Sequence, residues 1–166
     1  LPDVLEPRRQ PDVDGGAAVP AKPNLLRAIL RSAVAAASPY GVPVTAKFRK
    51  GLYDSLLTFV STGRIAAEEG IAAIALHART AEQHYAGTAD GDAIGELKAA
   101  VPEIPVLGNG DIWEAADALA MMRRTGCAGV VIGRGCLGRP WLFRDLAAAF
   151  AGREAPPLPN LGEVAA

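Results

Sequence analysis

The residues able to do chemistry recur at one kind of place in this sequence, the end of an apolar run. Lys47 comes near the end of VPVTAKF, with Arg49 and Lys50 just beyond it. His77 follows IAAIAL, with Arg79 and Thr80 behind it. Asn109-Gly110-Asp111 follows the run that starts at Ile104, and Gly133-Arg134-Gly135 follows GVVI. Glycine lets a ligand approach the main chain closely, and amide groups at a turn leading into a helix favour anions. Two such turns side by side suit a phosphate, and Arg134 adds a charge-assisted bond to it. Lys47 can balance an anionic or electron-rich ligand, and His77 can donate a hydrogen bond or carry a proton. Each position also has a plain structural reading. Lys47 can snorkel to solvent, His77 can be a hydrogen-bonded structural imidazole, and Asp111 can be the N-cap of the next helix. No side chain is assigned as a catalytic nucleophile or base.

The elements that must position these residues alternate. Apolar residues at 25, 26, 29, 30, 33 and 34 have helical spacing, and Pro39 and Gly41 end that helix. Short apolar runs at 42–48, 71–76, 104–107 and 129–132 predict four strands. Helices are expected at about 56–69, 92–100, 114–125 and 141–151, with Gly70 and Gly126 as C-terminal stops. The polar loop AEQHYAGTADGD, residues 81–92, is longer than most strand-to-helix connections, which makes it a candidate functional loop. Strand–helix alternation predicts an α/β fold with a parallel sheet. A doubly wound open sheet and a partial TIM (β/α)8 barrel of about four βα units both fit. The half-barrel is favoured because Lys47, His77, Asn109-Gly110-Asp111 and Gly133-Arg134 all fall at strand C-terminal ends, the face on which barrels carry their sites. The expected organisation is an irregular arm over residues 1–22, the half-barrel over 23–152 and a flexible Pro-rich tail over 153–166.

Composition sets limits on function. The 166 residues are 50% hydrophobic and only 5% aromatic, with a net charge of −1. That balance suits helices packed on a buried sheet and disfavours an aromatic nucleic-acid platform or a globally basic one. The two cysteines, Cys127 and Cys136, show no metal-ligand spacing, so no metal site is expected. Two cysteines make no disulfide framework, so a reducing cytoplasm is the default location, and no apolar run approaches the ~20 residues that span a bilayer.

The strings VPVTAKFRKG (42–51), ALHARTAEQHYAGTADGDAI (75–94), IPVLGNGDIW (104–113) and TGCAGVVIGRGCLGRPWLF (125–143) resemble the tRNA-dihydrouridine synthase family, closest to its bacterial B-type members. The blocks stay in register over about residues 15–150. The resemblance implies a flavin-bearing TIM barrel whose enzymes reduce a uridine of tRNA to 5,6-dihydrouridine, with FMN as cofactor and NADPH as reductant. Carried over by position, Lys47 and His77 would face the flavin ring. Asn109, Gly110, Asp111, Gly133 and Arg134 would hold the ribityl-phosphate. A redox step delegated to a cofactor accounts for the lack of a local catalytic triad.

Three departures shape the expectation. The family's Asn-x-Gly-Cys-Pro motif, whose cysteine protonates the uracil ring, belongs before the matched region, and residues 1–13 contain no cysteine. Gly91 stands where the family commonly has Trp, and the family's C-terminal helical domain has no counterpart here. The chain is therefore expected to be a fragment or degenerate copy, inactive alone, with tRNA as partner only of the intact enzyme. A non-catalytic α/β module that binds a phosphorylated ligand, or that self-associates through open sheet edges, is the alternative.

Overall fold

The computed structural model of the protein describes residues 16–160 and residue 162. Most of the expected N-terminal arm (1–15) and residues 161 and 163–166 of the tail lie outside the described residues. The strands are β1 (Thr45–Tyr53), β2 (Leu56–Leu57), β3 (Ala73–Thr80), β4 (Val106–Asn109) and β5 (Gly129–Val131). The helices are α1 (Pro23–Ala37), α2 (Phe59–Glu68), α3 (Gly91–Ala100), α4 (Ala115–Thr125) and α5 (Leu142–Phe150). One sheet runs in the order β2-β1-β3-β4-β5. β1, β3, β4 and β5 are parallel, and the two-residue β2 pairs antiparallel with the end of β1. The chain is thus a partial TIM (β/α)8 barrel of four strand–helix units, preceded by α1.

Period-two alternation divides the sheet into two faces. From β3, Ile74, Leu76 and Ala78 enter a core with Leu26, Leu30, Phe59, Ile65, Ile94, Leu97 and Val106, while Ala46 and Phe48 of β1 pack against it. Ile74, Leu76, Ile94 and Leu97 are fully buried, and each such side chain contributes about 1.5–3 kcal/mol of transfer free energy. A second cluster, Ile112, Ala118, Leu142 and Leu146, seats α5 against α4, with Val130 of β5 packed on it. The helices cover this face, and the opposite face carries His77, Arg79, Lys47 and Arg49.

Three boundaries differ from the sequence expectation, each for a tertiary reason. β3 does not stop at Leu76 but runs through His77-Ala78-Arg79-Thr80, because its polar side chains have a cleft to face and partners within it. β1 likewise continues past Phe48 to Tyr53. Lys50 is 8% exposed there and pairs with Asp90 at 3.1 Å, so it is not a solvated turn residue. Leu56-Leu57, expected to begin a helix, form β2 against Gly51 and Tyr53. Gly70 does end α2, with φ +79° and its amide donating to the Ala67 carbonyl. Within the expected irregular arm, Gly16–Ala21 form a 3-10 turn whose Ala18 is buried. Residues 153–160 form neither helix nor strand, and Arg144 Nη2 donates to the Pro157 carbonyl at 3.1 Å.

Candidate functional site

Sheet register explains how residues remote in sequence meet. Arg49 pairs with His77, His77 with Asn109, and Asn109 with Val131, so they form one row across the parallel strands. The row below it runs Lys47, Ala75, Leu107 and Gly129. Beyond the upper row the chain leaves β4 and β5 through the two glycine turns. Lys47, His77, Asn109, Gly110, Asp111, Gly133 and Arg134, every position expected from the sequence, line one cleft of about 250 Å³ at the strand C-terminal ends. Arg49, Arg79, Tyr85 and Trp113 line it too.

The cleft is held by hydrogen bonds to loop backbone. Arg79, 2% exposed, donates from Nε to the Ala86 carbonyl at 3.1 Å and from Nη2 to the Gly87 carbonyl at 2.6 Å. Its Nη2 also reaches both Asp111 oxygens, at 2.8 and 2.9 Å. Asp111 Oδ2 accepts a further bond from the Ala89 amide at 2.7 Å. Arg49 Nη1 donates to the Thr80 and His84 carbonyls at 2.8 and 3.1 Å. The long loop after β3 is therefore pinned by one arginine from β1 and one from β3. Asn109 Nδ2 donates to the Val131 carbonyl at 2.7 Å, tying β4 to β5 at the cleft floor.

Asp111 is not a helix cap. It has φ +50° and its carboxylate is engaged with Arg79 and Ala89. Glu114 is the N-cap residue of α4, and Asp117 in the first turn accepts from the Glu114 amide at 2.9 Å. Gly110, at φ +133°, passes so close to the loop that a Cβ there would lie 2.6 Å from the Ala89 methyl. Gly133 differs: a Cβ at that position would meet nothing within 4 Å, so the space beside it is open.

The electrostatics are one-sided. Arg79 and Asp111 largely neutralise each other, which leaves Lys47, Arg49 and Arg134 as the cleft's positive charge. Burial, followed by the charges of Arg49, Lys47, Arg79 and Arg134, lowers the His77 pKa to about 4. His77 is therefore a neutral imidazole at pH 7, with one donor and one acceptor nitrogen. Partial burial and then the Arg49 charge lower the Lys47 ammonium. Burial alone would raise the Asp111 carboxyl. The Ala89 amide, the Arg79 hydrogen bonds and the charges of Arg79 and Arg134 together outweigh it and hold the group below its ordinary value. A net cationic cleft with open space beside a glycine turn fits a phosphorylated ligand.

Tyr85 and Trp113 are cleft-lining residues that sequence reasoning did not single out. The available signal was scarcity: where aromatics are 5% of the chain, a tyrosine in a polar loop stands out. Cys127 is buried in the core, and Cys136 Sγ lies 3.1 Å from the Gly133 carbonyl without lining the cleft.

The fold and the cleft define a (β/α)-barrel protein with a cationic site at its strand C-terminal ends. The family model described as Dihydrouridine synthase (Dus) matches residues 8–166, starting ahead of the four sequence blocks and ending beyond them. A probable tRNA-dihydrouridine synthase of Mycobacterium leprae (strain TN) is 62% identical over 151 residues, covering 91% of this chain and 39% of its own length. The tRNA-dihydrouridine synthase B of Xanthomonas axonopodis pv. citri (strain 306) is 41% identical over 149 residues, 90% of this chain and 44% of its own. The chain belongs to the dihydrouridine synthase family. It spans about two fifths of the length of the curated relatives it matches. Among the described residues no helix is long and apolar enough to cross a membrane.

Proposed function

We propose that this chain is the cofactor-holding half of a tRNA-dihydrouridine synthase, an oxidoreductase that reduces uridine in tRNA to 5,6-dihydrouridine with FMN as cofactor and NADPH as reductant. Family membership supports the reaction, and the cationic cleft beside the glycine turns supports the cofactor. The observation that carries the cofactor reading is the convergence of Lys47, His77, Asn109–Asp111 and Gly133-Arg134 on one cleft. In this reading Asn109, Gly110, Asp111, Gly133 and Arg134 hold the ribityl-phosphate, and Lys47 and His77 hold the ring. Asp111 serves through its backbone, because its carboxylate is committed to Arg79 and would otherwise repel a phosphate. When bound, the flavin supplies the hydride chemistry that no side chain here offers. Neutral His77 can donate a hydrogen bond without adding a charge, and Lys47 stabilises negative charge near it.

Neither cysteine lines the cleft, so no thiol of this chain stands ready to protonate a uracil ring. The chain alone should bind FMN weakly and form no dihydrouridine. In this reading tRNA is the substrate of the whole enzyme, and its work is cytoplasmic. The direct test is titration of FMN into the purified chain, followed by flavin fluorescence, with a parallel assay for dihydrouridine in tRNA plus NADPH. Saturable quenching without product supports the reading. Absence of FMN binding contradicts the cofactor assignment, and product formation contradicts the inactivity.

A second reading, self-association, is favoured by strand order: among the described residues β5 ends the sheet, and the short β2 is the one strand paired on the outer side of β1, beside the 3-10 turn Gly16–Ala21. Open edges are templates for pairing. Light scattering after size exclusion tests it; a monomer at all concentrations counts against it.

A further inference from the structure

Arg134 and Tyr85 come from different loops, one after β5 and one after β3, and meet at the mouth of the cleft. The Arg134 Cζ lies 4.1 Å from the centroid of the Tyr85 ring, within cation–π reach, and 5.7 Å from that of Trp113. Among the described residues no carboxylate hydrogen-bonds Arg134. Asp111, whose charge it feels, is already bonded to Arg79.

Tyr85 is 58% exposed, so core packing does not explain its place. Yet its backbone is fixed on both sides. The His84 carbonyl before it accepts from Arg49 Nη1, and the Ala86 carbonyl after it accepts from Arg79 Nε, both at 3.1 Å. Two cleft arginines thus hold an exposed ring against a third. An unsupported arginine samples many rotamers and loses that freedom on meeting a ligand, whereas one stacked on an aromatic face is already confined.

We propose that Tyr85 is a specificity-determining positioning residue: its ring holds the Arg134 guanidinium at the cleft mouth, where it selects a ligand ending in a phosphate monoester over the same ligand ending in a hydroxyl. The inference rests on the FMN reading above and adds the residue that makes the phosphate count.

The test compares Kd values for FMN and riboflavin, measured by fluorescence titration of the full chain and its variants. The wild type should prefer FMN by about tenfold or more, the scale of a charge-assisted bond. Tyr85→Leu should reduce that preference by about three- to fivefold, with FMN affinity falling more than riboflavin affinity, the scale of a lost cation–π contact. Tyr85→Phe keeps the ring and should keep the preference. Arg134→Ala should lose most of it, and adding Tyr85→Leu to Arg134→Ala should change the ratio no further. Circular dichroism checks folding, and Tyr85→Gln gives a second ring-free variant. The proposal is overturned if ring-free variants keep the wild-type ratio, weaken both flavins equally, or still lower the ratio without Arg134. A wild type that binds riboflavin as tightly as FMN overturns it as well. Binding of neither flavin contradicts the FMN reading itself and removes the inference with it.

Discussion

Arg79 Nη2 donates to both carboxylate oxygens of Asp111, at 2.8 and 2.9 Å, across 32 positions of sequence. One partner comes from the buried end of β3 and the other from the turn after β4. The pair closes the cleft floor and, through the Ala86, Gly87 and Ala89 backbone groups, fixes the loop above it. The two partners are unequally buried, Arg79 at 2% side-chain exposure and Asp111 at 28%.

That inequality makes the two deletions differ. Asp111→Asn leaves a buried guanidinium without its counter-charge and should cost about 3–5 kcal/mol, whereas Arg79→Met leaves a partly hydrated carboxylate and should cost less, about 1–3 kcal/mol. Urea unfolding of both variants measures this. Equal losses, or a larger one for Arg79→Met, would contradict the assignment of Arg79 as the buried partner.

His77 gives stability a pH dependence of defined sign. Its folded pKa of about 4 lies below the ordinary 6.5, so between those values the unfolded chain binds the proton first. Stability is therefore full above pH 6.5 and falls as pH drops towards 4, by an amount on the order of 2 kcal/mol once solvent screening is allowed for. The lowered Asp111 and Asp90 carboxyls act in a separate window, losing their contribution only as pH falls below the ordinary carboxylate range. Unfolding midpoints at pH 7 and pH 5 for the wild type and His77→Gln separate the two. The variant should lose most of the difference, and an unchanged slope would exclude His77 as its source.

Gly110 tests the close approach of turn and loop. Gly110→Ala combines φ +133° with a Cβ placed 2.6 Å from the Ala89 methyl, and should cost about 1–3 kcal/mol. Adding Ala89→Gly removes the collision but not the backbone strain, so thermal melts should show partial recovery. Full recovery would mean that the backbone at 110 carries no strain.

Much of this arrangement is legible in sequence, and what is not is tertiary. The apolar runs of β3, β4 and β5 mark parallel strands because both sheet faces are covered or lined. The C-terminal ends of those strands gather the chemistry because all four parallel strands point one way. His77 and Arg79 read as residues after the strand, since polarity ordinarily ends an apolar run, yet here it faces a cleft. Asp111 reads as a cap because its nearest sequence neighbours suggest one, while its real partner is Arg79. The two-residue β2 has no periodicity to detect, and the Tyr85–Arg134 contact joins loops that share no local pattern.

A packing test concerns the helix layer that positions β3. A Cβ added at Gly63 would lie 2.5 Å from Leu97 Cδ1. Leu97→Ala should cost about 2–5 kcal/mol, and Gly63→Ala about 1–3 kcal/mol by overpacking. The double variant should be more stable than the sum of the two losses predicts, because the added methyl occupies part of the vacated volume. Strict additivity in urea unfolding would show that the α2–α3 contact is not this close.

The central claim, that one cleft at the strand ends holds the phosphate-bearing flavin, is tested most directly by an amide NMR footprint of the full chain titrated with FMN. The account predicts concentration-dependent shifts for Asn109, Gly110, Asp111, Gly133 and Arg134 and for the His77 ring, with α1 and the outer faces of α2 and α3 unmoved. Shifts centred elsewhere, or none at FMN concentrations that saturate flavin fluorescence, would contradict it.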